Sequence, residues 1–203
     1  MNIFDERAKQ WDRPDRAAMA SSIALCMLTG LRLNSEMTAI DFGAGTGLIT
    51  LEIAKRVKHI TALDSSAGMI EVMMEKINHG GVKNISTMLY DIEKSSVLIE
   101  PADVIVSSMT MHHVRDIERL AVMLYSMLKP GGQLAAADLE KEDGGFHNEG
   151  NSAGVMHKGF DRGILAGVFK RAGFIDIRFT TAYTVKKENG QYPVFLMLAK
   201  RGE

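Results

Sequence analysis

Apolar positions along this chain follow two spacings that alternate. Residues 15–31 repeat them every three or four places, which predicts a helix with one buried face. Short runs that are almost wholly apolar follow: TAIDF (38–42), HITALD (59–64), NISTMLY (84–90), ADVIVSSM (102–109) and GQLAAADL (132–139). Runs of that length and character predict strands covered on both faces. Helical spacing returns between them in LITLEIAKRV (48–57), in AGMIEVMMEKI (67–77), closed by Gly80 and Gly81, and in DIERLAVMLYSML (116–128). Strands separated by helices build parallel βαβ units.

The last quarter breaks that rhythm. IDIRFTTAYTV (175–185) and YPVFLMLAK (192–200) read as strands joined by KKENGQ, whose Asn189-Gly190 pair signals a hairpin. Residues 140–160 are glycine-rich and aperiodic, so they read as a long loop after the fifth strand, on the substrate side. The expected architecture is α/β: a doubly wound, mostly parallel sheet ending in an antiparallel hairpin. At 203 residues it fits one domain, 1–203, with residues 1–36 as a helical cap.

Composition narrows the possibilities a little. Lysine and arginine total 24 against 25 acidic residues, the lysines are scattered, and no basic stripe suggests a nucleic-acid partner. No run approaches the roughly 18 apolar residues of a membrane span, and the opening MNIFDERAKQWDRPDR lacks the apolar centre of a signal peptide. The lone Cys26 excludes an internal disulfide and fits a cytoplasmic location; sharing a stripe with Ile23, Met27 and Gly30, it reads as a small buried hydrophobe. Met69, Met73 and Met74 sit at core spacing on one helix.

The chemistry concentrates in AIDFGAGTGLIT (39–50), where Gly43, Gly45 and Gly47 follow the first strand and open the next helix. Glycine is costly to order, so such a cluster marks backbone that turns left-handed or approaches something closely. Its place at the carboxyl end of a strand is where open α/β sheets bind ligands, and free N–H groups at the helix start would favour an anion. A dinucleotide site requires a third glycine at position 48, which is Leu48.

The pattern present, Asp41-x-Gly43-x-Gly45-x-Gly47, resembles the first motif of class I S-adenosylmethionine-dependent methyltransferases. ALDSSAGMI, YDIEK, ADVIVSSMTMHHV and LKPGGQLAAADL continue the resemblance in order, and the opening residues are similar to the cap of small type 11/12-like members. It implies a Rossmann-like seven-stranded sheet of order 3-2-1-4-5-7-6, with S-adenosylmethionine as cofactor. It further implies that Asp41 orients the loop, while Gly43, Ala44, Gly45 and Gly47 let main chain approach the methionine moiety. Asp64, beside Ser65 and Met69, would hold the ribose; Asp91, with Ile92, would hold the adenine. Ser107 or Ser108 would offer a backbone carbonyl to the ammonium group, and Trp11 would lie over the cofactor as a lid.

Other readings stand beside these. Asp64 can cap a helix, Asp91 can be a solvated loop carboxylate, and Trp11 can pack on the core. On the acceptor side, His113, His147 and His157 are the candidate catalytic groups, with Phe160 nearby in sequence. His113 serves equally well as a helix cap. The adjacent His112 and His113 lack the spacing of a helical zinc pair, so no metal is expected. The expected function is methyl transfer to a small-molecule acceptor. An NAD-dependent oxidoreductase and a non-catalytic S-adenosylmethionine-binding module are the alternatives.

Overall fold

The computed structural model describes residues 3–94, 99–147 and 154–203. The chain opens with α1 (Ile3–Arg7), a 3₁₀ turn (Ala8–Gln10) and α2 (Pro14–Gly30). It continues through β1 (Thr38–Phe42), α3 (Thr50–Ala54), β2 (His59–Asp64), α4 (Ala67–Gly80), β3 (Ile85–Leu89) and β4 (Ala102–Ser108). A second 3₁₀ turn (Met111–His113) precedes α5 (Ile117–Ser126), β5 (Leu128–Leu139), α6 (Arg162–Arg171), β6 (Phe174–Lys187) and β7 (Gly190–Arg201). The strands form one seven-stranded sheet in the order β3-β2-β1-β4-β5-β7-β6, as the resemblance implies. β1 to β5 pair in parallel, whereas β7 runs antiparallel to both β5 and β6.

The central strands are mostly apolar because both faces are covered. Ile40, Ile105, Leu134, Phe195 and Met197 bury against α5 and α6 on one face. Their sequence neighbours Ala39, Val104, Val106, Ala135 and Leu196 bury against α2 and α3 on the other. Side chains alternate across a strand, so most positions of the central strands β1, β4, β5 and β7 meet a helix layer, whereas the edge strands β3 and β6 are largely exposed. Capping follows the sequence. Pro14 opens α2, the Ser66 hydroxyl accepts the Met69 N–H at the start of α4, and Gly81 ends α4 at φ +62°.

Three boundaries differ from expectation. The helix expected over 48–57 is regular only from Thr50 to Ala54. Left-handed glycines occupy the chain up to Gly47, and it must leave the helix early to begin β2 at His59. β5 starts at Leu128, paired with Ala102, and then skips to Gln133 opposite Val104, so the Pro130-Gly131 turn is looped out of a longer strand. Within the segment expected to be loop, Glu140 bridges Phe160, and just after it comes α6, absent from the sequence reading. Asp161 caps α6 by accepting the Ile164 N–H at 2.9 Å, and Leu165 and Phe169 bury its inner face. Gly163 and Gly167 dilute the helical signal there. The hairpin forms as expected, with Glu188 and Asn189 at its tip and Gly190 beginning β7. Among the described residues no helix is long and apolar enough to cross a membrane.

Candidate functional site

β1 lies at the point where strand order reverses: the chain leaves it for β2 and β3 on one side and for β4 and β5 on the other. Loops at the carboxyl ends of β1 and β4 therefore diverge and leave a crevice. A cavity of about 810 Å³ occupies it.

The glycines of the first loop have three different reasons to be there. All have positive φ, at +72°, +56° and +86° for Gly43, Gly45 and Gly47. A side chain on Gly43 would overlap Thr110, whose hydroxyl donates to the Gly43 carbonyl at 3.2 Å. One on Gly47 would come within 2.7 Å of Met73 Cγ, and Gly47 does not line the cavity. Gly47 is thus a packing glycine against α4, a correction to its expected place at the cofactor. Only Gly45 is open: a Cβ there would meet nothing within 4 Å. Four of the loop N–H groups are already engaged, where the sequence suggested free donors for an anion. Gly43 and Ala44 donate to the Leu63 carbonyl at 2.8 and 2.9 Å, Gly45 to Asp64 Oδ2 at 2.7 Å, and Gly47 to the Ala44 carbonyl. The loop presents its shape rather than its donors.

Carboxylates gather on this side. Asp64 ends β2, and its two oxygens accept from the Gly45 and Ser66 N–H groups at 2.7 and 2.8 Å. Asp64 lines the cavity. Burial raises its pKa, partly countered by the Ser66 and Gly45 amides. Asp64 is not the cap of α4; Ser66 is. Asp41 is fully buried under the loop. Burial, reinforced by the charge of Asp64 and opposed by the Thr50 hydroxyl at 2.6 Å, raises its pKa to about 7. Asp91 is the reverse case: bonded to Lys94 at 2.7 Å and half open, its carboxyl is held below the usual range, mainly by that ammonium. Ala44, Ser65, Met69, Asp91 and Ile92 all line the cavity.

The opposite wall is built from imidazole and aromatic rings. His112, His113 and His147 line it with Phe4 and Phe146. His112 and His113 have ring centroids 4.0 Å apart, and His147 lies 5.2 Å from His112. His112 Nδ1 is 2.7 Å from Asp138 Oδ1, and both side chains are buried. Burial, aided by the neighbouring His112, lowers the pKa of both His113 and His147 to about 4, so both rings are neutral at pH 7. His113 Nδ1 is 2.8 Å from the Gly154 carbonyl. His147 Nδ1 is buried with no hydrogen-bond partner among the described residues. No group of three or more His, Cys, Asp or Glu side chains among those residues is arranged to hold a metal ion. Met109, at the end of β4, also lines the cavity and holds φ +55°, a strained conformation for a residue with a side chain.

The amino-terminal segment covers the crevice. Asp5 accepts from the Ser66 hydroxyl and the Gly68 N–H, and Asp12 pairs with Lys76 and accepts from the Thr46 hydroxyl. These bonds fasten α1 and Trp11 beside the loop, so Trp11 lines the cavity, edge-on to Phe4 and under the Arg16 guanidinium at 3.8 Å.

Several expected residues lie elsewhere. Ser107 is buried with its hydroxyl donating to the Phe42 carbonyl and does not reach the cavity, whereas Ser108 does. His157 is also off the cavity: Nε2 sits 3.0 Å from the Val114 carbonyl, so the ring pins a loop instead of facing a substrate. Phe160 packs beside it. Of the expected 140–160 loop, residues 148–153 lie outside the described residues. Neither Asp138 nor a base role for His112 is among the sequence-based expectations, because 26 positions separate the two residues. The available signal was a charged residue inside the buried run LAAADL, the same oddity that marks Asp41 in TAIDF.

Comparison with known proteins agrees with this geometry. Residues 39–132 match a methyltransferase domain family. The chain is 29% identical over 171 residues to an uncharacterized methyltransferase of Schizosaccharomyces pombe, covering 78% of this chain and 60% of that protein. It is 31% identical to a malonyl-acyl-carrier-protein O-methyltransferase of Priestia megaterium, covering 64% of this chain and 47% of that one. The chain thus spans about half the length of these curated relatives. Haemonchus contortus phosphoethanolamine N-methyltransferase 2, solved in complex with S-adenosyl-L-methionine, has the same fold: TM-score 0.75, 14% identity, 100% of this chain and 61% of that one. With a matching domain over the glycine loop and the first four strands, and with the sheet order that those motifs imply, the chain is similar in fold, and over residues 39–132 in sequence, to the class I S-adenosylmethionine-dependent methyltransferases.

Proposed function

We propose that this protein transfers a methyl group from S-adenosylmethionine to a small-molecule acceptor. One observation carries the reading: the Asp64 carboxylate is fixed at the cavity wall beside Gly45, the one glycine of its loop with open space in front of it. That pair suits a nucleoside, because a carboxylate accepts both hydroxyls of a ribose and a residue without Cβ lets the rest of the molecule lie against the main chain. Asp91 would accept the adenine amine, with Ile92 against the ring. Asp41 lies beneath the loop that would border the methionine moiety, and the Ser108 carbonyl, which accepts the Thr110 hydroxyl at 3.1 Å, would also take its ammonium group.

When bound, S-adenosylmethionine supplies a methyl group made electrophilic by the sulfonium charge. What remains for the protein is alignment and exclusion of water. Trp11, Phe4 and Met19 wall the cavity on the amino-terminal side, and Phe146 walls it on the loop side. The volume lies within the range of small-molecule sites and leaves room for an acceptor beside the nucleoside. The single, half-buried Cys26 suits a reducing cytoplasm.

Calorimetry with S-adenosylhomocysteine tests the reading. Micromolar binding supports it, and no detectable affinity in well-folded protein rejects it. Binding without release of S-adenosylhomocysteine from S-adenosylmethionine, across a broad acceptor screen, favours a non-catalytic binding module.

A further inference from the structure

The wall proposed to face the acceptor contains three imidazoles, and among the described residues one of them, His112, has a carboxylate bonded to it. His112 Nδ1 faces Asp138 Oδ1 at 2.7 Å, and the His112 N–H donates to Asp138 Oδ2 at 3.2 Å. The Leu139 N–H adds a third bond to that carboxylate at 2.7 Å. Burial disfavours the charge of Asp138, but His112 beside it and these amides outweigh burial and keep the carboxyl below its usual range. An ionised carboxylate at Nδ1 requires Nδ1 to carry the proton. Nε2 is then the basic nitrogen of a ring that lines the cavity.

We propose that His112, oriented by Asp138, removes a proton from the acceptor, which is therefore a small molecule whose nucleophilic oxygen, sulfur or nitrogen bears hydrogen. The proposal rests on the methyltransferase reading above and adds to it the class of nucleophile. A thioether or tertiary amine has no proton to lose, and a buried Asp–His pair would have no work to do for it. Its neighbours His113 and His147 are poor candidates for the same task. Each is held neutral by burial and by the ring beside it, and among the described residues neither has a carboxylate bonded to it.

In the step, the X–H bond of the acceptor breaks and its proton goes to His112 Nε2. The X–CH3 bond forms as the methyl–sulfur bond breaks, and that electron pair stays on sulfur, which ends as a neutral thioether. The products are the methylated acceptor, S-adenosylhomocysteine and a His112 imidazolium, whose charge is balanced by Asp138 until the proton passes to solvent. His112 is the catalytic residue in this account, and Asp138 is a positioning residue.

Two measurements test it. The first needs no variant: nitrogen-15 NMR of the histidine rings in the wild-type protein bound to S-adenosylhomocysteine. Among the described residues the titratable groups in contact with His112 are Asp138 from β5, His113 from the same turn and His147 from the loop after β5, and of these Asp138 is the one that draws a proton onto the ring. The proposal predicts His112 protonated at Nδ1 and bare at Nε2 at neutral pH. A ring protonated at Nε2, or at both nitrogens, overturns it. The second uses methyl-labelled S-adenosylmethionine with a deproteinised small-molecule cell extract as the acceptor probe, and mass spectrometry identifies the product. A product methylated at an X–H site is expected. His112→Gln should cut its formation at least 100-fold while changing S-adenosylhomocysteine affinity less than threefold. Asp138→Asn should cut it roughly tenfold or more and move the acid limb of the rate profile to lower pH, which a merely structural defect would not do. A sulfonium or quaternary ammonium product, or unimpaired transfer by His112→Gln, overturns the proposal and leaves the methyltransferase reading intact. Failure of the wild-type protein to bind S-adenosylhomocysteine overturns both.

Discussion

The two walls of the cavity are built on opposite principles. On the β1–β2 side, side chains are wired to the backbone next to them: Asp64 holds Gly45 and Ser66, and the amides of the glycine loop bond to Leu63, Ala44 and Asp64. On the β4–β5 side, rings contributed by separate segments meet one another, and His147 Nδ1 has no partner among the described residues. A wall satisfied internally is fixed before any ligand arrives and suits one invariant molecule. A wall with unspent hydrogen-bonding capacity suits a partner that completes it, which is what an acceptor site requires.

The largest effect should come from Asp64. Asp64→Asn removes the charge that would grip two hydroxyls and sets an NH2 group against the Gly45 or Ser66 N–H, so S-adenosylhomocysteine affinity should fall about 100-fold by calorimetry, given about 1.5–3 kcal/mol per charged hydrogen bond. Affinity loss below threefold would mean that the nucleoside sits elsewhere.

The glycines separate stability from binding. Gly43→Ala combines a left-handed residue with overlap on Thr110 and should cost about 3 kcal/mol in urea unfolding. Gly45→Ala has the left-handed strain alone and should cost about 1 kcal/mol, yet weaken S-adenosylhomocysteine more than tenfold in whatever protein remains folded. Equal effects from the two would merge the roles assigned to them.

Fastening of the amino-terminal segment is tested at Gly68, where a Cβ would come within 2.9 Å of the Asp5 backbone. Gly68→Ala should loosen α1 and change Trp11 fluorescence, with a loss of about 1 kcal/mol. Unchanged fluorescence would mean that the cover does not depend on that contact.

The smallest effect is on pH. His113 and His147 have folded pKa values near 4, below the usual 6.5, so the unfolded chain takes up protons that the folded chain refuses between those values. Their contribution to stability is present above about pH 6.5 and is lost as the pH falls toward 4. Asp41 works in the opposite sense. Its folded carboxyl keeps a proton up to about 7, so its contribution falls as the pH rises from about 4 toward 7. Melting curves of His147→Gln should therefore decline less than wild type on acidification from pH 6.5 to 4.

Sequence carried the first wall far better than the second, for a physical reason. Asp41, Gly43, Gly45 and Asp64 act within or next to short motifs, where spacing alone fixes who meets whom. Even there, spacing could not tell that Gly47 serves Met73 and not a ligand, because that contact is with a helix a turn of chain away. The imidazole wall joins residues 112, 138 and 147, whose meeting depends on how β4 and β5 align and on a loop that carries no periodicity. His157 looked equivalent to His147 and faces a carbonyl instead. In the fold, alternating strands and helices were legible from apolar spacing, whereas α6 was hidden by its two internal glycines despite a capping Asp161 and basic residues in its last turn.

A crystal structure with S-adenosylhomocysteine addresses the division of the cavity most directly. We expect the ribose hydroxyls on Asp64, the adenine beside Asp91 and Ile92, and the sulfur turned toward the wall of His112 and His147. Ribose placed away from Asp64, or sulfur turned away from the imidazoles, would contradict the assignment of the two walls.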